Sequence, residues 1–490
     1  MKLVAPSIHY LAIAPELALL GGALLLLFAS ALRPSRISNL QATVVTAASS
    51  IAVVVIAFFQ WSDVASHGAR TTIDHAIALD GFSIVASAIV GVGLLLSTLV
   101  AHDWAKRANV RNGEFSILAL AASSGAVIMA QANDLVVIFI ALEILSIGLY
   151  VLVAFDRHRA ASSEAALKYF LMGGFASAVF IYGAALVYGA TGTTNLSSIS
   201  YFLGKNELLR PGLLIAGGAL LLVGFSFKVA AAPFHSWAPD VYQGAPSPVT
   251  GFMASIVKVG AFAAFVRVLI SALGTQQDTW RPIFWVLIVL TTFVGAGLAL
   301  VQCDAKRLLA YSSINHAGFM LLGLWAGTVR GAAATLYYLI TYAPLVIATF
   351  AIVTLMGGPN DTSHAVESYR GLARRQPWLG GAFAILLLAQ AGAPFTTGFF
   401  AKFSVLSAAV DAGGAPIAII AMVAASIAFF FYLRWTLSLY AEDALDAPRI
   451  VVPWPTALVI AFGVVTTIVF GIWVGPFADL AHKATLLFLP

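Results

Sequence analysis

Charged residues are scarce in this chain. Only 10% of its 490 residues are Asp, Glu, Lys or Arg, whereas 61% are hydrophobic. A soluble domain carries about 25% charged residues, so this chain has too little polar surface to fold in water. The scarcity of charge argues against a soluble enzyme. The net charge of +5 is interpreted as a membrane-topology signal rather than a sign of nucleic-acid binding.

Cysteine is nearly absent as well. A single residue, Cys303, excludes an internal disulfide and a cysteine-ligated iron–sulfur cluster. The longest polar stretches have about 20 residues, so no nucleotide-binding or flavin-binding domain fits between the apolar runs. The sequence also has no metal-spaced His/Cys cluster, phosphate loop or nucleophile elbow. We therefore expect no cofactor and no metal in this chain, and any redox chemistry would belong to partner proteins.

Apolar runs of about 20 residues recur along the whole chain, and each is long enough to cross a hydrocarbon core of ~30 Å as an α-helix. We count about fourteen, which begin near residues 8, 39, 79, 115, 134, 164, 212, 248, 281, 306, 333, 378, 416 and 453. Loops on one side of these spans carry about twice as many basic residues as loops on the other side. The richer side is predicted to be cytoplasmic, which places both chain termini outside the cytoplasm.

Proline interrupts two of the predicted spans. The seventh reads LLVGFSFKVAAAPFHSWAPDVY, with Pro233 and Pro239, and the twelfth reads AILLLAQAGAPFTTGFFAKF, with Pro394. Proline removes an amide donor and clashes with the preceding turn, so both helices should break at membrane depth. The breaks share the tripeptide Ala-Pro-Phe and lie five spans apart. Because five is an odd number, the two broken helices would cross the membrane in opposite directions. We therefore expect an all-α polytopic membrane protein with two inverted five-helix repeats, helices 4–8 and 9–13.

The expected repeats divide the chain into four regions. Helices 1–3 would occupy residues 1–110, the first repeat 111–275, the second repeat 276–440 and the last helix 441–490. The two breaks then fall in the fourth helix of each repeat. Broken helices at matching places in two halves are typical of transport sites.

Four charged residues lie within apolar runs: Glu143 in the fifth span, Lys228 in the seventh, Lys258 in the eighth and Lys402 in the twelfth. Each charge at the bilayer centre costs roughly 2.5–3.5 kcal/mol, so the four cost on the order of 10 kcal/mol before pairing. Glu143 and Lys228 are a candidate ion pair whose formation and breakage would switch the lysine between holding and releasing a proton. Pairing that only holds helices together would balance its charges, so the excess of lysine favours proton or ion transport.

Two histidines are weaker candidates for the same task. His235 follows the first break, and His316 lies in the polar segment YSSINHAGF of the tenth span. Imidazole titrates near neutrality, so either ring could pass protons between lysines. A hydrogen-bonded packing role is the alternative for both. Arg267 and Arg434, in contrast, are predicted to extend their guanidinium groups to the membrane surface.

Three long segments of the chain are similar to a known family. FKVAAAPFHSWAPDVYQGAPSPVTGFMASIVKVGAF, LEILSIGLYVL and YSSINHAG resemble the antiporter-like subunits of respiratory complex I, and within these the subunit N group. The resemblance covers essentially the whole chain. Related subunits of sodium/proton antiporters and membrane-bound hydrogenases are the alternative, and a scaffold that conducts nothing is another.

The resemblance implies a membrane-arm subunit that translocates protons. Glu143 matches the family's helix-5 glutamate, Lys228 and Lys258 the lysines of helices 7 and 8, Lys402 the lysine of broken helix 12, and His316 a helix-10 histidine. The implied partners are other membrane-arm subunits, while NADH, FMN, iron–sulfur clusters and quinone would be bound by other subunits. The implied location is the inner membrane of a bacterial cell, with lipid around the chain and both termini in the periplasm.

Overall fold

The protein is a bundle of membrane-length helices. Its computed structural model describes residues 8–32, 37–206, 211–358, 360–442, 449–484 and 486, so the terminal residues, whose periplasmic location was predicted, lie outside the described residues. A hairpin of β1 (Arg70–Thr72) and β2 (Ile77–Leu79) is the described sheet. The helices of at least eight residues are α1 (Ala14–Leu32), α2 (Asn39–His67), α3 (Gly81–Arg107), α4 (Gly113–Gln131), α5 (Leu135–Val153), α6 (Ala160–Thr191), α7 (Leu196–Lys205), α8 (Gly212–Lys228), α9 (Trp237–Gly244), α10 (Ser247–Ala272), α11 (Gly274–Ala299), α12 (Ala305–Trp325), α13 (Val329–Met356), α14 (Pro377–Ala391), α15 (Thr397–Asp411), α16 (Ala415–Ser438), α17 (Trp454–Ile472) and α18 (Gly475–Lys483).

Fourteen spans are present among the described helices, as the apolar runs predicted. Eleven helices are long and apolar enough to cross a membrane. The other three are α12, which carries more polar residues, and the two broken helices α8–α9 and α14–α15. The short helices α7 and α18 are amphipathic and do not span. A broken helix is therefore the fourth member of each inverted five-helix repeat.

Both breaks lie where proline predicted them. Pro233 lies between Lys228, the last residue of α8, and Trp237, the first residue of α9. Pro394 lies in the corresponding gap between α14 and α15. Pro239 takes no part in the first break, because it is the third residue of α9, where no helical amide donor is needed.

The centre of the bundle is formed by α10 and α13. The apolar segment of α10 is completely buried, and that of α13 is 94% buried. In contrast, the corresponding segment of α1 is only 33% buried. The helix that carries Lys258 is thus enclosed by protein on all sides, so this lysine can exchange protons only through neighbouring side chains or internal water.

Arg267, near the end of α10, is buried in the bundle and not at the membrane surface, where it was predicted to lie. It is 3% exposed, and its Nη2 atom lies 2.7 Å from Oδ1 of Asp80. Its Nε atom donates a hydrogen bond of 2.5 Å to the carbonyl of Ala130. The prediction was wrong because Asp80, the residue that caps α3, supplies a buried partner 187 positions away in the sequence.

A second long-range contact ties the N-terminal helices to the last span. The Oδ2 atom of Asp103 in α3 accepts hydrogen bonds from the backbone amide of Thr456 at 3.0 Å and from its hydroxyl at 2.5 Å. Thr456 lies in the first turn of α17, whose amides have no helical acceptor. Asp103 therefore caps a helix that begins about 350 residues later in the chain.

Candidate functional site

Lys228 lies at the end of α8, against α5 and α6. Its Nζ atom donates hydrogen bonds to Oγ of Ser146 at 2.7 Å and to the hydroxyl of Tyr169 at 3.2 Å. The side chain is buried. Both partners are neutral, so this ammonium group has hydrogen bonds without a contacting negative charge.

Glu143 does not form the direct ion pair with Lys228 that the sequence suggested. Its Oε1 atom accepts a hydrogen bond from Ser177 of α6, while Lys228 is bonded to Ser146, one turn further along α5. A cavity of about 10 Å³ is lined by Ser146, Ser177 and Lys228. This volume is close to what one water molecule needs. The side chains of Ser177 and Ser146 thus lie between Glu143 and Lys228.

Lys258 lies in the completely buried helix α10. Its Nζ atom donates to the backbone carbonyl of Ser313 in α12 and lies 5.4 Å from the centre of the Tyr342 ring. No ion pair within 4 Å involves this lysine in the described part of the chain. The residues before it, Met253–Val257, form a π-helical turn, an irregularity that is frequent at functional sites.

Lys402 lies in α15 and reaches back across the break to the end of α14. Its Nζ atom donates hydrogen bonds to the carbonyls of Ala391 at 2.7 Å and Gln390 at 3.1 Å. These carbonyls have no helical amide partner because α14 ends there, and they carry the negative end of the helix dipole. The break therefore creates the acceptors that hold this buried lysine.

His316, in α12, joins the two halves of the site. Its Nδ1 atom lies 2.7 Å from the hydroxyl of Tyr338, and its Nε2 atom lies 3.3 Å from the hydroxyl of Tyr432. Tyr432 donates to Oε1 of Gln390 at 3.4 Å, and the backbone carbonyl of Gln390 accepts from Lys402. A chain of hydrogen-bonding residues therefore leads from His316 to Lys402.

Ser313 provides the connection toward Lys258. The hydroxyl of Tyr342 donates to Oγ of Ser313 at 3.0 Å, and the Tyr342 ring lies 5.0 Å from the ring of His316. The carbonyl of Ser313 is the acceptor for Lys258. Lys258, His316 and Lys402 thus belong to one polar cluster, whereas the described side chains form no continuous hydrogen-bonded chain between Lys228 and Lys258.

Four members of this cluster, Tyr338, Tyr342, Gln390 and Tyr432, were not predicted from the sequence. Gln390 is the one polar residue in AILLLAQA, a signal that could have been used. Tyr432 lies in FFFYLRW, where a tyrosine cannot be distinguished from the packing aromatics around it. Ser312, which the sequence placed beside His316, is also bonded to Tyr432.

His235 is not brought to the lysines. It lies in the break between α8 and α9, half-buried, and makes no hydrogen bond to Lys228, Lys258 or Lys402. Its Nδ1 atom is buried without a partner. Within the described ranges there is also no group of three or more His, Cys, Asp or Glu residues that could hold a metal ion.

A cluster of charges holds the loop after α13 against the helices of the site. Asp361 is buried and lies 3.3 Å from Nζ of Lys306, 3.6 Å from Nη1 of Arg159 and 3.0 Å from Nε2 of His364, and it also accepts from Ser247. Burial alone would raise the pKa of Asp361, but the Lys306 ammonium and the hydrogen bonds from His364 and Ser247 hold it well below its usual range. Ser247 begins α10, and Lys306 lies in the first turn of α12. The cluster therefore fixes the ends of the helices that carry Lys258 and His316.

Known proteins share the fold of this chain and part of its sequence. Residues 132–428 match the family described as NADH:quinone oxidoreductase/Mrp antiporter, TM. The NADH-quinone oxidoreductase subunit N of Rhodococcus opacus is 46% identical over 374 residues, which cover 76% of this chain and 69% of that protein. A chain of respiratory complex I from Thermus thermophilus with bound aureothin is 33% identical, with a TM-score of 0.79, and the match covers 96% of this chain and 99% of that chain.

The fold also occurs in another kind of complex. A chain of the Mrp complex from Dietzia has a TM-score of 0.82 over 97% of this chain and 96% of that chain, but only 19% of the residues are identical, so this likeness is one of fold. The family match covers more than half of the chain and includes Glu143, Lys228, Lys258, His316 and Lys402. The chain therefore belongs to the NADH:quinone oxidoreductase/Mrp antiporter family, where the relatives of high identity are N subunits of NADH-quinone oxidoreductase.

Proposed function

We propose that this chain is a membrane-arm subunit of a bacterial respiratory complex I and translocates protons. The observation that carries this proposal is that three lysines are buried in the bundle with neutral hydrogen-bond partners. A buried ion pair that loses one charge leaves the other uncompensated, at a cost of about 3–5 kcal/mol. A lysine held by hydroxyls and carbonyls changes its charge without that penalty, which suits a group that is repeatedly protonated and deprotonated.

The side chains around each lysine supply the steps between them. Only the side chains of Ser177 and Ser146 separate Glu143 from Lys228, so a change of charge on either group alters the electrostatic energy of the other in the low dielectric of the bundle. Lys258 and Lys402 communicate through His316, whose two ring nitrogens can each donate or accept. The tyrosine hydroxyls beside His316 also donate and accept, so they can pass a proton on when they rotate.

The first repeat (111–275) would thus supply Glu143, Lys228 and Lys258, and the second (276–440) His316 and Lys402. Energy would arrive from NADH oxidation and quinone reduction, with NADH, FMN, iron–sulfur clusters and quinone held by other subunits. The excess of basic residues in one set of loops favours an inner-membrane orientation with both termini in the periplasm.

A partner subunit at α5 is supported by the exposure of that helix. Glu143 is only partly buried, and it lies between Ile140 and Ile147, which are 51% and 58% exposed. A carboxylate at this depth is costly to leave in lipid. We infer that a neighbouring membrane-arm subunit covers this face and completes the surroundings of Glu143.

The proposal is tested with Lys258→Ala in the intact assembly. Inverted membrane vesicles report NADH-driven proton uptake, and the assembly is checked by native electrophoresis. Pumping should be lost in an assembled complex, whereas Lys205→Ala, which removes an exposed lysine of α7, should pump normally. Normal pumping by an assembled Lys258→Ala complex would establish a scaffold role and overturn the proposal.

Association with a sodium/proton antiporter or a membrane-bound hydrogenase is the alternative, and the fold shared with the Mrp complex favours including it. Mild-detergent purification of the tagged chain separates these outcomes. Co-elution of NADH:quinone reductase activity supports complex I. A membrane assembly without redox centres, with sodium-dependent transport, would support the antiporter instead.

A further inference from the structure

A groove runs between α2, α3, α13, α17 and α18. It lies on the opposite side of α13 from the polar cluster of Lys258, His316 and Lys402. Its volume is about 430 Å³, and its lining is apolar apart from Thr466. Phe58, at its edge, is 70% exposed. In a membrane such a surface is covered either by lipid or by another protein, so its dimensions decide the occupant. The residues that define it on α2, α3 and α17 are Phe58, Trp61, Ala88, Val92, Phe462 and Phe470.

The length of the groove matches one leaflet of the bilayer. Along α3 it extends from Ile84 to Gly93, which is about 14 Å at 1.5 Å per residue. The hydrocarbon core of a bilayer is about 30 Å thick, so one leaflet accounts for about 15 Å. Ile84 lies near the start of α3, next to the β1–β2 hairpin, so the groove opens into the leaflet on the hairpin side.

The groove is too short for a membrane-spanning helix. Such a helix needs about 30 Å of apolar surface along its length. The groove offers about half of that length along α3. A single hydrocarbon chain, in contrast, is thin and flexible enough to follow the surface formed by the five helices.

Positive charge lies at the outer end of the groove. Phe477 and Leu480 of α18 line it, and α18 ends with His482 and Lys483, whose side chains are exposed. A Cβ atom on Gly81, the first residue of α3, would lie 3.3 Å from the backbone oxygen of Lys483. The basic end of α18 therefore lies at the end of the groove where the headgroup of a bound lipid would reach the membrane surface. The acidic side chain of Asp479 in α18 is also exposed.

We propose that this groove binds one acyl chain of a phospholipid whose phosphate lies beside His482 and Lys483. The bound acyl chain packs against α13 at Ile340 and Pro344. Tyr338 and Tyr342 of the same helix contact the polar cluster on its other side. The lipid thus fills the space behind the helix that carries the tyrosines and keeps water out of it.

The occupant is identified by photo-crosslinking in native membranes, with p-benzoylphenylalanine in place of Phe58 in the full assembly. The expected product is this chain with one phospholipid attached, found by mass spectrometry of the purified subunit. A product of the size of two protein chains would show a neighbouring subunit in the groove and overturn the proposal, as would an attachment within this chain.

Two variants test the two ends of the site. Ala88→Trp fills the groove and should remove one tightly retained phospholipid per complex, whereas Ala425→Trp, at a half-buried position of α16 outside the groove, should retain it. Lys483→Glu should leave the groove open but release the lipid at a lower detergent concentration than the wild type. Equal lipid retention by the wild type and Ala88→Trp would contradict an acyl-chain site.

Discussion

The hydroxyl of Tyr432 lies 3.3 Å from Nε2 of His316 and also contacts Ser312 and Gln390. The ring of Tyr432 is thereby fixed in the second repeat at the point where His316 meets the broken twelfth span. One hydroxyl group joins the central histidine to the residue whose carbonyl holds Lys402. This contact makes Tyr432 a positioning residue for the proposed proton path.

Tyr432→Phe should reduce proton pumping while the complex still assembles, because it removes the hydroxyl and keeps the ring. The lost hydrogen bonds should cost about 1 kcal/mol of stability. The matched control is Tyr337→Phe, because the hydroxyl of Tyr337 in α13 is buried without a partner. NADH-driven proton uptake and the thermal denaturation temperature measure both effects. Equal pumping by the two variants would show that the hydroxyl of Tyr432 is not needed for proton pumping.

Lys402→Arg distinguishes a lysine that releases protons from one that only supplies charge. An arginine side chain keeps the positive charge and the donors to the end of α14 but does not deprotonate in proteins. We expect an assembled complex with pumping reduced at least tenfold, as in Lys402→Met. The stability loss should be smaller for the arginine variant, since Lys402→Met leaves two helix-end carbonyls without a donor. Retained pumping in Lys402→Arg would exclude proton release at this position.

Arg267→Met should destabilise the bundle strongly. It removes the Arg267 guanidinium from the buried carboxylate of Asp80, at a cost of about 3–5 kcal/mol. Arg330→Met removes an arginine from the exposed pair with Asp411 and should cost less than about 1 kcal/mol. The yield of assembled complex and its denaturation temperature compare the two. Similar losses for both variants would mean that the buried pair contributes no more than a surface pair.

The Asp361 cluster predicts a specific dependence of stability on pH. Because the pKa of Asp361 in the folded protein lies below the unfolded value of about 3.9, its contribution is complete above that pH and is lost as the pH falls. Asp361→Asn should therefore lower stability by the same amount, about 3–5 kcal/mol, from pH 5 to pH 8. The difference should narrow below about pH 4. Denaturation curves across this pH range measure the difference, and Asp278→Asn, at an exposed position, is the control. A stability difference between the wild type and Asp361→Asn that widened in acid would contradict this prediction.

The sequence predicted the spans, the breaks and the four charged candidates because each has a local signal. Apolar length marks a span, Pro233 and Pro394 mark the breaks, and Glu143 is unusual in its apolar surroundings. Contacts between distant segments have no such signal. Direct pairing of Glu143 with Lys228 was plausible from depth alone, yet Ser146 and Ser177 lie in between.

Arg267 shows the converse case, a contact between distant segments that is present but was not predicted. A lone arginine near the end of an apolar run is ordinarily placed at the membrane surface, and the sequence contains nothing nearby to suggest otherwise. Its partner Asp80 precedes α3, a position that predicts a helix cap rather than an ion pair. Only the packing of α3, α4 and α10 brings the two charges together, so the pair could be found only in the folded bundle.

The capping of α17 by Asp103 can form only late in biosynthesis. Ribosomes deliver α3 to the membrane long before Thr456 has been translated, so the Asp103 carboxylate lacks the amide and hydroxyl of Thr456 throughout most of synthesis. The contact between α3 and the last span therefore forms only when that span arrives. A nascent chain released before α17 would lack both of the hydrogen bonds that Thr456 donates to this carboxylate.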